Sequence, residues 1–304
     1  MEPFLTRLRS GPTLVGDGAT GTLLMERGLP PGRPPEEATL THPEWVAEVA
    51  RRYVEAGAEV AETNTFGASP LKLALAGIGE EVERVNRDAV RLAREGAGGK
   101  AYVVASCGPC GRLLEPYGDA PPAAVHAGFL VQVGILATAG VDAVFIETMT
   151  DLEEAKLAVR AAREAAPALP VAAMMTFEKT PRGFYTIMGD SVADAAAALE
   201  EAGADAVGSN CGNGIGEMVE IAREFRRHSA LPVVIQPNAG LPRLCDGHLI
   251  YDESPESMAD RARELVAIGV ALIGGCCGTT PDHIRALRSR IQRHAPPPRR
   301  PSGP

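Results

Sequence analysis

The chain has 304 residues, 45% hydrophobic and 23% charged, with six cysteines and a formal net charge of −9. That is enough apolar material for a sizeable core, and it excludes a mainly disordered, collagenous or coiled-coil chain; the 33 glycines follow no triplet repeat. The acidic balance argues against nucleic acid as a partner, and so few cysteines do not make a disulfide scaffold, leaving metal ligands, catalytic thiols or core residues in a reducing compartment.

In chain order, Met1-Glu2-Pro3-Phe4 lacks the charged-then-apolar pattern of a signal peptide, so a cytoplasmic location is expected. Short β-rich runs then alternate with helical patterns. The expected strands are Thr13–Asp17, Glu59–Thr65, Tyr102–Cys107, Ala143–Thr148, Val171–Thr176, Ala206–Cys211, Val233–Asn238 and Leu272–Cys277. Most are near-continuous apolar runs, as parallel strands buried on both faces require. Helices are expected over Pro43–Ala56, Asp151–Ala166, Ser191–Ala202, Pro255–Ile268 and Pro281–Arg293, three of them opening on a proline suited to a first turn. The longest uncharged stretch, Ala120–Val141, contains Pro121, Pro122, His126 and Gln132, so no membrane span is expected there.

A phrase around an Ala-Gly or Ile-Gly pair recurs at Gly57, Gly140, Gly203 and Gly269, each time between a helix and an even-numbered strand. The length allows two domains of about 150 residues, but eight βα units in one chain predict a single (β/α)8 TIM barrel. An open doubly wound sheet is the alternative. The Gly16-Asp17-Gly18 to Gly21 spacing does not support it, being wrong for a dinucleotide turn. The barrel is expected over residues 1–294. Residues 295–304, rich in proline, read as a tail or an interdomain linker.

In such a barrel the active site lies at the C-terminal strand ends. Asp17, Glu62, Asn64, Cys107, Glu147, Asn210, Cys211, Asn238, Cys276 and Cys277 all fall there. Unpaired buried carboxylates are costly, so Asp17, Glu62 and Glu147 together point to a polar binding site. The sharpest motif is Gly274-Gly-Cys-Cys-Gly-Thr-Thr-Pro281. Adjacent cysteines on a regular strand face opposite ways, so only an irregular strand end, which the glycines permit, can aim both at one object. With Cys211 they would form a three-thiolate zinc site with an open position; three small buried core residues is the plainer alternative. Cys245 is the candidate for a fourth, structural ligand. Cys107-Gly-Pro-Cys110 is spelled like a redox motif, but the poor helix former that follows favours an inert turn.

Asp17-Gly-Ala-Thr-Gly-Thr22, Glu62-Thr-Asn-Thr-Phe-Gly-Ala-Ser69, Gly208-Ser-Asn-Cys211, Pro237-Asn-Ala-Gly-Leu-Pro242 and the double-cysteine motif resemble the homocysteine S-methyltransferase family, in order from Asp17 to about Ile284. Within it, the chain is most similar to the homocysteine-binding domain of the cobalamin-dependent branch. The resemblance implies Cys211, Cys276 and Cys277 as catalytic zinc ligands. It implies Asn238 as the oxygen filling the fourth position until substrate arrives, and Asp17 and Glu147 as partners of the substrate amine. The backbone of Gly18, Ala19 and Thr20 would receive the carboxylate if it opens a helix, and Glu62, Asn64 and Asn210 complete the expected substrate pocket. Cys107 and Cys110 are departures from the family pattern.

The expected reaction is zinc-dependent methyl transfer to homocysteine, with methylcobalamin on another domain as donor and cobalamin-binding and folate-binding domains of the same enzyme as partners. The alternatives are a self-contained methyltransferase using S-methylmethionine or betaine, and, from a different class, a binding module with structural zinc.

Overall fold

Eight apolar runs form eight parallel strands: β1 (Leu14–Val15), β2 (Val60–Glu62), β3 (Tyr102–Cys107), β4 (Ala143–Met149), β5 (Val171–Met175), β6 (Ala206–Asn210), β7 (Val233–Gln236) and β8 (Leu272–Ile273). The structure, a computed structural model, describes residues 1–30, 32–245 and 248–293, without the side chains of 244–245, 248–249 and 293. From β2 to β8 each strand pairs with the next in chain order, and β1 pairs with β8 in the register Leu14↔Leu272. The β1–β2 seam is bridged by Glu59 N–H donating to Val15 O (2.7 Å) and Glu62 N–H donating to the Asp17 carboxylate (2.8 Å). The ring is therefore a (β/α)8 TIM barrel and not an open sheet.

Strand alternation sorts the side chains. Leu14, Val60, Val104, Phe145, Met174, Val234 and Leu272 pack inside the ring, while Val15, Ala105, Val144, Met175, Val207 and Ile273 pack outward with the helices. The N-terminal helix Phe4–Ser10 was not expected from the sequence. It plugs the bottom of the ring, Phe4 meeting Tyr102 edge-on at 5.3 Å between centroids. Two short antiparallel hairpins, Glu178–Thr180 with Gly183–Tyr185 and Arg243–Cys245 with His248–Ile250, follow β5 and β7.

Helices Pro43–Ala56, Pro255–Ile268 and Pro281–Arg293 match their expected bounds. The recurring glycines are their structural counterpart: Gly57, Gly140, Gly203 and Gly269 each end a helix in the left-handed conformation (φ 110°, 92°, 107° and 88°), which an L side chain resists. The uncharged stretch folds as helix Pro122–Ala139. Its 18 residues have the length and composition of a membrane span, contrary to the reading of its prolines and polar residues. Here it takes an outer-ring place, with Val125, Phe129, Val133 and Leu136 buried.

Gly208 of β6 lies tight against β7, where a Cβ would lie 1.8 Å from Val234 O. Gly208→Ala is expected to lower stability by about 3 kcal/mol, as overpacking a barrel does. The measurement is the urea midpoint, and an unchanged midpoint would contradict this packing.

Candidate active site

Above the apolar interior, the next inward positions are polar. Continuing the parity of Val60, Val104, Phe145, Met174 and Val234 by two residues gives Glu62, Ser106, Glu147, Thr176 and Gln236, and Asn210 ends β6 in the same layer. These side chains bond one another across the mouth. Gln236 Nε2 donates to Glu62 Oε1 (2.6 Å), from β7 to β2. Asn210 Nδ2 donates to Glu147 Oε2 (2.9 Å), and Ser106 Oγ donates to the other oxygen of Glu147. Thr176 Oγ1 donates to Asn210 O (2.9 Å).

A bulge in β4 after Ile146 places Thr148 at φ 57°, and its N–H donates to Asn210 Oδ1 (2.7 Å). Burial, then repulsion from Glu62, pushes the Asp17 and Glu147 carboxyls well above the usual carboxylate range; burial pushes Glu62 up as well. Among the described residues no lysine or arginine pairs with any of the three. Three acceptors without a cation suit a ligand that brings one, such as an ammonium group.

The sulfurs of Cys211, Cys276 and Cys277 lie within 4.8 Å of one another, with Cys211 Sγ 3.8 Å from Cys277 Sγ. Both strand ends are irregular, as the motif requires. β8 stops at Ile273; Gly275 N–H turns to Asp17 O (2.8 Å) and Cys276 N–H to Pro237 O (2.8 Å). Cys211 sits at φ 59°, held by its N–H to Gln236 O (3.1 Å) and by Asn213 N–H to its carbonyl (2.8 Å). A left-handed non-glycine residue costs about 1–3 kcal/mol and concentrates at functional sites.

Hydrogen bonds from Cys211, Cys276 and Tyr251 pull the Cys277 thiol down to about 3, while Cys276, donating to its neighbours and buried, is pushed well up. A bond with Cys276 lowers Cys211, but the one it donates to Cys277 and its burial outweigh this, raising it to about 11. A divalent metal among them would deprotonate all three. Asn238 is buried, its Oδ1 has no hydrogen-bond partner, and its chain neighbours bond to the cysteine pair, Ala239 N–H reaching Cys277 O (3.0 Å). Three sulfurs and an orphaned amide oxygen fit a zinc ion.

Three expected residues, Asn64, Gly18 and Ala19, are not drawn into this network. Asn64 is turned toward the β1 side of the ring, where its Nδ2 donates to Pro35 O (2.7 Å) and Thr39 Oγ1 (3.1 Å), so its amide nitrogen ties loops together. Gly18 and Ala19 precede the helix Thr20–Glu26, and the Ala19 N–H is already taken by Thr279 Oγ1 (3.2 Å). Thr279 is itself fixed to Cys276 O (2.7 Å), and the Tyr53 hydroxyl donates to Thr279 O (3.0 Å), so the β1 and β8 ends are braced together.

Cys107 has outward parity and Cys110 is buried, its N–H donating to Glu154 (2.6 Å); burial pushes both thiols up, Cys110 to about 12, as for an inert turn. The side chain of Cys245 lies outside the described residues. His283 bonds Thr280 and Glu253 O (2.9 Å). A surface cleft of about 410 Å³ beside the hairpin after β5 is lined by charges such as Arg223 and Arg227, paired with Glu264 and Glu224, and shares no residue with this site.

Ser106, Thr176, Gln236, Thr279 and Tyr251 were not singled out from the sequence. Strand parity with Glu62 and Glu147 carries a signal for the first three.

The family model for homocysteine S-methyltransferase matches residues 14–291. The chain is 35% identical to a methionine synthase of Mycobacterium leprae (strain TN), over 92% of this chain and 24% of that protein. It is 34% identical to one of Mycobacterium tuberculosis (strain ATCC 25618 / H37Rv), over 91% and 24%. It thus spans about a quarter of these relatives. The metallated crystal structure of the homocysteine methyltransferase MmuM from Escherichia coli superposes with a TM-score of 0.77 at 27% identity, covering 91% of this chain and 96% of that one. With the matched model covering almost the whole barrel, the chain belongs to the homocysteine S-methyltransferase family and is a methyltransferase.

Proposed function

We propose that this barrel methylates homocysteine at a zinc ion held by Cys211, Cys276 and Cys277, with methylcobalamin on another domain as the methyl donor. The observation that carries the reading is the pairing of two subsites at one mouth: three clustered sulfurs, and buried carboxyls without a cation. Homocysteine carries a thiol and an ammonium, one for each.

A free thiol titrates near about 8.5 and is mostly protonated at neutral pH. Zinc bound to the three cysteines would hold the substrate sulfur as a thiolate. Asn238, whose Oδ1 has no hydrogen-bond partner, would yield its position to that sulfur. Asp17 and Glu147, braced by Asn210 and Ser106, would accept the ammonium hydrogens, with Gln236 keeping Glu62 oriented beside them. The sulfur supplies the electron pair of the new S–CH3 bond, the pair of the broken bond stays with the donor, and the thiol proton leaves to solvent.

A large donor is supported by the rim. Leu113, Tyr117, Ile187, Met188, Leu241 and Ile250 are exposed on the segments that leave the C-terminal ends of β3, β5 and β7, apolar side chains suited to a docking domain. The share of the methionine synthases that lies outside this match leaves room for cobalamin-binding and folate-binding domains. The free thiols of the site suit the reducing cytoplasm. The second reading, a self-contained enzyme using S-methylmethionine or betaine, is favoured by the match covering nearly all of MmuM.

The test is turnover of homocysteine by the zinc-loaded chain with methylcobalamin, S-methylmethionine or betaine, each offered alone. Methionine formed from methylcobalamin supports the first reading, and methionine formed only from a small donor supports the second. No product from any donor would refute both.

A further inference from the structure

Among the described residues, Thr148 and Cys211 are the two non-glycine positions with a left-handed backbone, at φ 57° and 59°. For a β-branched side chain that conformation is a genuine outlier. Asn210 links the two, preceding Cys211 in the chain and bonding Thr148 from β6 to β4. The turn at Thr148 comes from the bulge in β4. Ile146 pairs with Ala173 and Met149 with Met175, so β4 carries one residue more than β5 between these pairs. Glu147 keeps its inward place, Met149 joins the helix-facing core, and Thr148 is turned toward Asn210. A bulge beside an active site re-aims side chains in this way. The Thr148 N–H donates to Asn210 Oδ1 (2.7 Å), and its Oγ1 accepts from Asn210 Nδ2 (2.8 Å). The two ends of a carboxamide are alike in shape and differ in what they donate or accept. A backbone N–H is met by the oxygen end, so Thr148 dictates that the Asn210 NH2 faces Glu147, where its second hydrogen goes to Oε2 (2.9 Å). Ser106 Oγ holds the other carboxyl oxygen from β3, and Thr176 Oγ1 anchors Asn210 O from β5 (2.9 Å).

We propose that Thr148 is a positioning residue: by engaging both ends of the Asn210 amide, it sets the direction in which Glu147 offers its carboxyl to the substrate ammonium. The inference rests on the reading of Glu147 as an ammonium partner and adds the group that orients it. Thr148 itself need not touch the substrate.

Thr148→Val keeps the branched shape and the N–H and removes the acceptor. Homocysteine and γ-mercaptobutyrate, the same thiol and carboxylate without the amine, are titrated by calorimetry into the zinc-loaded wild type and variant. The wild type should prefer homocysteine. Thr148→Val should bind homocysteine about three- to tenfold more weakly, the effect of one hydrogen bond, and γ-mercaptobutyrate as well as the wild type does. Thr148→Ser, which keeps the hydroxyl, should retain the wild-type preference. Thr148→Gly removes the acceptor but suits the positive φ, so homocysteine affinity should fall while the melting temperature holds or rises. An unchanged preference in the valine and glycine variants would overturn the role of Thr148 and leave the ammonium reading standing. Equal losses for both ligands, in step with melting temperature, would make Thr148 a packing element and overturn the proposal too. A wild type that does not prefer homocysteine would refute the ammonium reading itself.

Discussion

Cys276→Ser is expected to reduce zinc to well below one ion per chain and to lower homocysteine turnover by more than the roughly 10–100-fold that loss of an outer-sphere partner brings. Serine keeps the shape of the side chain but does not supply a thiolate at neutral pH. The fold should survive, because the sulfurs sit on irregular segments beyond β6 and β8 and outside the apolar interior. Metal analysis, turnover and thermal melting check the three parts. Stoichiometric zinc in the variant would remove Cys276 from the ligand set. Because the ligands must be deprotonated, wild-type zinc affinity should also weaken as pH falls.

Glu147→Gln is expected to separate binding from stability. Glu147 holds its proton to higher pH in the folded protein than in the unfolded chain, through burial and then repulsion from Glu62. Between the ordinary carboxylate range, near about 4.3, and its raised folded value, the folded state binds more protons, so this group's contribution to stability falls as pH rises. At pH 8 the amide should therefore raise the melting temperature of the free protein by about 2–4 °C, the effect of ~1 kcal/mol in a chain of this size. Near pH 5, where Glu147 is closer to fully protonated, the gain should shrink. The amide oxygen still accepts from Asn210, and the NH2 can donate to the Ser106 hydroxyl, which reverses its role.

The substrate ammonium, however, loses a charged acceptor, a change of about 1.5–3 kcal/mol that raises KM about ten- to a hundredfold. By the same linkage, homocysteine binding to the wild type should release protons, because an ammonium favours ionised carboxyls. Calorimetry in two buffers of different ionisation enthalpy reads this directly. An unchanged KM with a lowered melting temperature would show that Glu147 serves the barrel and not the substrate.

Much of this site is legible in the sequence because the chain repeats one local plan. Each βα unit announces its strand by an apolar run and most announce their helix by a proline or capping residue, and the Gly57, Gly140, Gly203 and Gly269 turns follow from helix ends alone. Once eight strands close, every strand end lies at one mouth, so Asp17, Glu147, Cys211, Cys276 and Cys277 can be gathered there without coordinates. Asn64 shows the limit of that reasoning: it stands at a strand end like the others, yet Pro35 and Thr39 draw its amide away. The N-terminal helix is similar. Seven residues carry too little periodicity to announce a plug, and only the open bottom of the ring gives Phe4 and Leu8 somewhere to be buried.

Strand count, helix starts and the residue types at the strand ends were thus determined by the sequence itself, because periodicity and capping act within about one or two turns of chain. Which polar groups meet was decided by tertiary structure. Gln236 reaches Glu62 across 174 residues, Asp17 closes the β1–β2 seam, and the Tyr251 ring packs on Gly278. Those partners are set by how the ring closes and where each irregular strand end turns, and burial makes an unpaired polar group costly enough that the pairing found there is kept.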